Sequence, residues 1–201
     1  MVALRIAVVA SLVAAIACGR SIPSAGFWYE DIAFALPAQA AEQLGGLLTD
    51  GELDSIKTIS RAEVAHAFTG FNIHVVDDHA AFWRVGVERS LRRRGPLPNA
   101  GESMALGFMG GVGGVSFDAE TLKAVQYAPP RASRQQIIEG IGRGISRVAV
   151  HEFAHQILNA ADLHNAADEN SYEYPSPDRA AQYYGQLHWT TARPLLEQRL
   201  R

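Results

Sequence analysis

His151, Glu152 and His155 lie in the run VAVHEFAHQIL, residues 148 to 158. Three residues separate the two histidines, so on an α-helix they stand one turn apart on one face, where both imidazoles can reach the same ion. Zinc suits such a set, because it accepts imidazole nitrogen well. Held by three protein ligands, it lowers the pKa of a coordinated water to about 7. Glu152, next to the first histidine, is placed to take a proton from that water and hand it to a leaving amine while the ion polarises the carbonyl. The pentad also falls on a stretch that reads as buried helix, where two histidines and an acid are costly without a purpose. HEFAH therefore reads as a Zn2+ site with Glu152 as its catalytic base.

Two nitrogens leave the site short of a ligand. His164 follows the second histidine after eight residues, beyond a chain reversal at NAADLHN; Glu169 follows after thirteen and Glu173 after seventeen. Pro175 and Pro177 come directly after Glu173 and argue against its lying inside a helix. His164 is the first choice for the third metal ligand and Glu173 the alternative, with Asp162, Asp168 and Glu169 behind them. Tyr172 and Tyr174 are the nearest phenols for stabilising an oxyanion, although each reads more readily as a packing residue. His188, in LHW, reads as structural.

The element that must position the pentad is the longest helical pattern in the chain. Ser133 and Gln136 form a capping box, and Ile137, Ile141, Ile145 and Val148 continue one apolar stripe. Gly140, Gly142 and Gly144 cost about 1 kcal/mol each relative to alanine, so close packing against a neighbouring strand is expected to compensate. Asn159 is the expected stop. Upstream, Leu36–Gly70 is helix-like, broken at Gly45-Gly46 and Asp50-Gly51, with Ser60 and Glu63 read as the capping box of a helix ending near Gly70. Phe71–Asp78 alternates as a strand, with His74 within it and His79 after it, which read as ordinary surface histidines. Ala80–Leu91 fits helix or strand, and PLPNAG (96–101) fits a loop. Met104–Asp118 holds five glycines without dinucleotide-loop spacing, so a bulge or a close backbone approach is the better reading.

The bulk properties are those of one globular domain: 201 residues, 48% hydrophobic and 19% charged. A net charge of -3 gives no sign of a nucleic-acid partner, and the basic run ERSLRRRG reads as a solvated face. At the N-terminus Arg5 precedes an uncharged apolar run from Ile6 to Ala17, too short for a membrane span of about 20 residues but suited to a signal peptide. Small residues lead into Cys18, the only cysteine. This segment resembles a bacterial lipoprotein signal, which implies an exported chain with a lipid anchor to the membrane through Cys18. Ordinary cleavage after Ala15–Ala17 and a retained anchor are the rivals. The expected organisation is a signal segment, 1–18, a tether at GRSIPSAGFWYED, and a single domain within 19–201.

The stretch from Gly110 to Gly185 resembles the metzincin clan of zinc peptidases, especially its matrixin-like members. Counterparts of that clan's elements are GVGGVSF for the substrate-binding edge strand, HEFAH, His164 for the histidine past the turn, SYEYPS for the turn beneath the metal, and SPDRAAQYYG for the closing helix. Leu158 and Ala161 stand where the clan's spacing has Gly and His, and the turn's methionine is absent. The resemblance implies an α+β fold, a zincin-like domain with a small mixed sheet, a long active-site helix and a C-terminal helix. It also implies a zinc-dependent peptidase, exported by the reading of the N-terminal segment, acting on a protein or peptide substrate laid along Val112–Phe117. The alternatives are a non-catalytic, zinc-stabilised envelope binding protein and metal-dependent hydrolysis of a non-peptide bond.

Overall fold

A computed structural model describes residues 22–91, 101–106 and 110–201. The signal segment with Cys18, the second half of ERSLRRRG (92–95) and PLPNAG up to Ala100 lie outside the described residues. The molecule is mixed α+β. Five strands, β1 (Ser24–Tyr29), β2 (His74–Val76), β3 (Trp83–Glu88), β4 (Gly101–Ala105) and β5 (Gly111–Ser116), form one sheet in the order β2-β1-β3-β5-β4. The first four neighbours run parallel and β4 runs antiparallel to β5. Six helices are described: α1 (Ala38–Leu44), α2 (Asp50–Ala67), α3 (Phe117–Gln126), α4 (Arg134–Leu158), α5 (Ala180–Tyr184) and α6 (Ala192–Arg199). None of the described helices is long and apolar enough to cross a membrane.

The central element is α4. Ser133 and Gln136 make both halves of the capping box, and Asn159 ends the helix in the left-handed conformation (φ 51°), which asparagine tolerates better than most residues. The Ile137, Ile141, Ile145, Val148 stripe is buried, as expected. Phe153 and Ile157 continue it into one core with Phe27, Val85, Val87 and Val115 of the sheet. Each such side chain contributes roughly 1.5–3 kcal/mol by leaving water. One flank of α4 lies on β3, β5 and β4, and the other meets α2, α3, α5 and α6.

Several expectations are corrected. The segment read as a tether is β1, an internal strand whose Ala25, Phe27 and Trp28 are buried; parallel strands covered on both faces read as continuous apolar runs and lose the period-two signal. The capping box of α2 is Thr49 with Glu52, not Ser60 with Glu63. Ile56, Ser60 and Val64 form one buried face of a continuous helix, so Asp50-Gly51 opens it rather than breaks it. The break at Gly45 stands, with φ 73° at the end of α1. Of Phe71–Asp78 only His74–Val76 is strand, and Ala80–Leu91 resolves as β3. The glycines of α4 meet helices, not a strand: a Cβ on Gly142 would lie 2.9 Å from Ile59 of α2, and one on Gly144 2.4 Å from Tyr183 of α5.

Candidate metal centre

His151 and His155 project from the last turns of α4. The Nδ1 of His151 donates to the Tyr172 carbonyl at 2.8 Å, and that of His155 to the Ala160 carbonyl at 2.7 Å. A carbonyl oxygen only accepts, so each Nδ1 carries a proton, and in the neutral ring Nε2 then presents a lone pair. The two Nε2 atoms are 3.0 Å apart. Burial pushes the His151 pKa down to about 4, against the pull of the Tyr172 carbonyl, so this ring is neutral at pH 7. Two lone pairs facing at that distance repel unless a cation lies against both.

His164 completes the cluster from outside the helix. Its neighbours hold it: Leu163 is buried in the core, and Asn165 donates its N–H to the Glu173 carbonyl at 2.8 Å and its amide to Thr190 Oγ1 at 3.0 Å. The His164 ring lies parallel to that of His151, 5.3 Å away, and 5.2 Å from that of His155. One ligand nitrogen from each of the three rings falls within 4.8 Å of the others, an arrangement able to hold a metal ion. The carbonyl partners orient the first two rings as hydrogen-bond partners of metal-binding histidines commonly do.

Glu173, the alternative ligand, has a different task. Its fully buried carboxylate accepts from the N–H groups of Thr190 (2.8 Å), Thr191 (2.9 Å) and Ala192 (3.0 Å) and from both threonine hydroxyls. It anchors the N-terminus of α6, where a negative charge is favourable. Burial raises its pKa, but these donors outweigh that and hold the carboxyl below the usual glutamate range. Asp168 pairs with His188 (3.0 Å) on the surface, Asp162 is exposed, and Glu169 contributes a carbonyl to Arg179. Tyr172 is buried against Trp189, and Tyr174 lies under Arg179 with its ring 4.5 Å from the guanidinium carbon; both line the cleft.

That cleft, of about 870 Å³, runs along α4 past the triad. Glu152 lines it, one residue on from His151, with 8% of its surface exposed. Burial pushes its pKa up, a hydrogen bond from Ser103 pulls it down, and the charge of Glu102 adds to the rise. Both partners belong to β4, and here the expected edge strand is also corrected. β5 is covered by β4, and β4 pairs with no second described strand, so the rim beside Glu152 is Gly101–Ala105 rather than Val112–Phe117. The covalent order hides this, because the hairpin folds the earlier strand outside the later one. Gly110, at the entry to β5, has φ 92° and a Cβ position only 1.8 Å from the Phe82 carbonyl oxygen.

Sequence reasoning missed two further parts. Gln156 of α4 pairs its amide with both backbone groups of Arg84 in β3 (3.1 and 3.0 Å), pinning the helix to the sheet; Gly111 and Gly113 leave room for it. Arg147, Lys123 and Arg179 line the other end of the cleft. The spacing of Arg147, four residues before His151, was the available signal, since i and i+4 share a helix face. Comparison of the chain with protein-family models, curated proteins and solved structures finds no match.

Proposed function

We propose that this chain is a zinc-dependent peptidase of zincin type, hydrolysing peptide bonds with Glu152 as base. The carrying observation is the pair of Nε2 lone pairs 3.0 Å apart, each set by a carbonyl on the opposite nitrogen and completed by His164, beside a buried carboxyl. The spacing is close to the roughly 3.3 Å that two imidazoles adopt on tetrahedral zinc. Three imidazole donors match the ligand set of catalytic zinc sites, and such a set leaves the fourth position for chemistry. His151, His155 and His164 would hold the ion, which would supply polarisation of a carbonyl and a nucleophilic water near neutral pH.

The chain's own residues supply the rest. Glu152 holds a proton taken from the attacking water and returns it to the leaving nitrogen; its burial brings its basicity toward the working range. Ser103 orients that carboxyl. The free edge of β4 offers backbone groups to an extended peptide, which would add as one more strand. An open cleft beside the triad supports a catalytic site over a zinc staple closed by four protein ligands. Export and lipidation at Cys18 belong to this reading on sequence alone.

The test is metal content and hydrolysis measured together. The zinc-loaded protein is expected to cleave unfolded protein substrates, and Glu152→Gln to keep one zinc per chain while activity falls by roughly 10²–10⁴-fold. His164→Ala is expected to lose the metal, and Glu173→Gln to retain it. Undiminished turnover by metal-replete Glu152→Gln would end the mechanism.

A further inference from the structure

The cleft is lined by both acids and cations. Beside Glu152 stands Glu102; one turn earlier along α4 begins a wall carrying Lys123, Arg147 and Arg179. Two of these cations have partners. Arg147 is held by Glu63 at 2.7 Å, and the Lys123 Nζ lies 3.0 Å from Asp178, whose side chain is 59% exposed against 19% for the lysine. Arg179 differs. It is buried, and its donors go to the carbonyls of Glu169, Ser171 and Ser176, with Tyr174 under its plane. Among the described residues no carboxylate lies within ion-pair distance of it. The nearest acids answer that charge only in part: the Glu169 carboxylate acts on it from beyond ion-pair distance, and Glu120 lies behind Tyr183, which donates to it at 3.2 Å, with burial pushing the Glu120 carboxyl up to about 7. Carbonyls satisfy the hydrogen bonds of a guanidinium but not its net charge, and a partly enclosed cation favours an incoming anion.

We propose that this end of the cleft takes a carboxylate of the substrate, which displaces the exposed Asp178 from Lys123 and completes the charge balance around Arg179. The proposal rests on the peptidase reading. Position along the chain follows from the helix. Arg147 precedes His151 by four residues, about 6 Å at 1.5 Å per residue, while an extended peptide advances about 3.3 Å per residue. The carboxylate therefore belongs one or two residues from the bond cleaved at the triad. An aspartate or glutamate side chain and a free chain end share this chemistry, and both reach it.

The probes are three short peptides, each with an N-terminal hydroxamate that chelates zinc and so fixes the register. The first carries glutamate at its second residue and an amidated end. The second carries glutamine there and is amidated. The third carries glutamine and ends in a free carboxylate. Calorimetry on zinc-loaded Glu152→Gln protein is expected to give roughly tenfold tighter binding for the first or third than for the second, falling as salt is raised. Which of the two gains identifies side chain or chain end as the source. Lys123→Gln is expected to erase the preference, and Asp178→Asn, a change at an exposed position, to enlarge it. Equal affinity for all three peptides overturns the proposal and leaves the peptidase reading intact, as does a preference that Lys123→Gln does not reduce. Failure of even the neutral hydroxamate to bind a zinc-loaded protein overturns both.

Discussion

The two walls of the cleft are held by different kinds of bond. One wall is α4, in which backbone hydrogen bonds repeat from Arg134 to Leu158 and the apolar stripe seats the helix against sheet and helices. The facing wall, residues 160–191, has only the five-residue α5 and an isolated bridge of Ser171 with His188, and polar side chains hold much of the rest: Glu173 on the N–H groups of 190–192, Arg179 on three carbonyls, Asn165 on the Thr190 hydroxyl. Both walls serve the metal centre. The helix gives His151 and His155; the irregular wall gives His164 and the carbonyls of Ala160 and Tyr172 that orient the helical rings. Redundant bonding makes α4 tolerant, whereas the irregular wall depends on single polar side chains.

The largest expected effect follows from that dependence. Glu173→Ala strips the acceptor from three backbone N–H groups and two hydroxyls at once and should cost about 3–5 kcal/mol of unfolding free energy. Denaturant titration measures it, and zinc affinity should fall with it because His164 loses its footing. The same carboxylate sets a pH dependence. Its folded pKa lies below the unfolded value, so its contribution is complete above about 4.3 and is lost as pH falls through the folded value. Wild-type protein should lose stability more steeply than Glu173→Gln in that acid window. Parallel curves would show that the irregular wall is held by something else.

On the helical wall, adding a single carbon where another side chain is already packed should cost less. A Cβ at Gly144 would meet Tyr183 at 2.4 and 2.6 Å, contacts that a ring at 0% exposure cannot fully relieve. Overpacking of this kind costs about 1–3 kcal/mol, and the gain of about 1 kcal/mol in helix propensity offsets part of it. Thermal unfolding of Gly144→Ala should therefore show a modest loss with zinc content unchanged. A loss as large as that of Glu173→Ala would erase the contrast between the walls.

The same contrast explains what could be read in advance. The capping box at Ser133, the stripe from Ile137, the stop at Asn159 and the histidine spacing all follow from the 3.6-residue period, so α4 was legible in sequence. The irregular wall was not, because the partners of its decisive side chains are backbone groups, which every residue carries: carbonyls for Arg179, His151 and His155, N–H groups for Glu173. Glu173 was visible as an acid at nearly the right distance from HEFAH, but nothing local to it names Thr190 and Thr191 as its donors. β1 failed for another reason: a strand buried on both faces carries no alternation to distinguish it from an apolar tether. The rim strand was misassigned because a hairpin's order in space is not its order in sequence.

A smaller and more selective effect is expected where the helix meets β4. A Cβ at Gly101 would stand 2.3 Å from Val148 Cγ1 and 2.8 Å from Glu152 Oε1. β4 is the outer strand of the described sheet and can move away, so Gly101→Ala should cost about 1 kcal/mol of stability. The displaced carboxyl matters more: hydrolysis should drop by roughly 10–100-fold with zinc content unchanged, since ångström-scale misplacement of a catalytic group has that order of effect. A variant with normal turnover would show that Glu152 is not fixed by this wall.

The smallest effect is expected at Asp168, an acid nine residues before Pro177 that the spacing from HEFAH made eligible as a ligand. Its Oδ2 meets His188 at 3.0 Å with side chains 30% and 58% exposed, and its Oδ1 accepts the Asn170 N–H at 2.9 Å. An exposed pair of this kind contributes about 0–1 kcal/mol, and asparagine keeps an acceptor for the turn. Asp168→Asn should thus leave stability within about 0.5 kcal/mol and zinc stoichiometry unaltered, by calorimetry and metal analysis. Unlike Glu173, which lies five positions further on in the same wall, it bonds one N–H and one exposed ring, so its removal leaves no buried donor without a partner. Loss of metal in Asp168→Asn would mean that the irregular wall rearranges to bring an acid to the triad, and the division of labour between the walls would have to be redrawn.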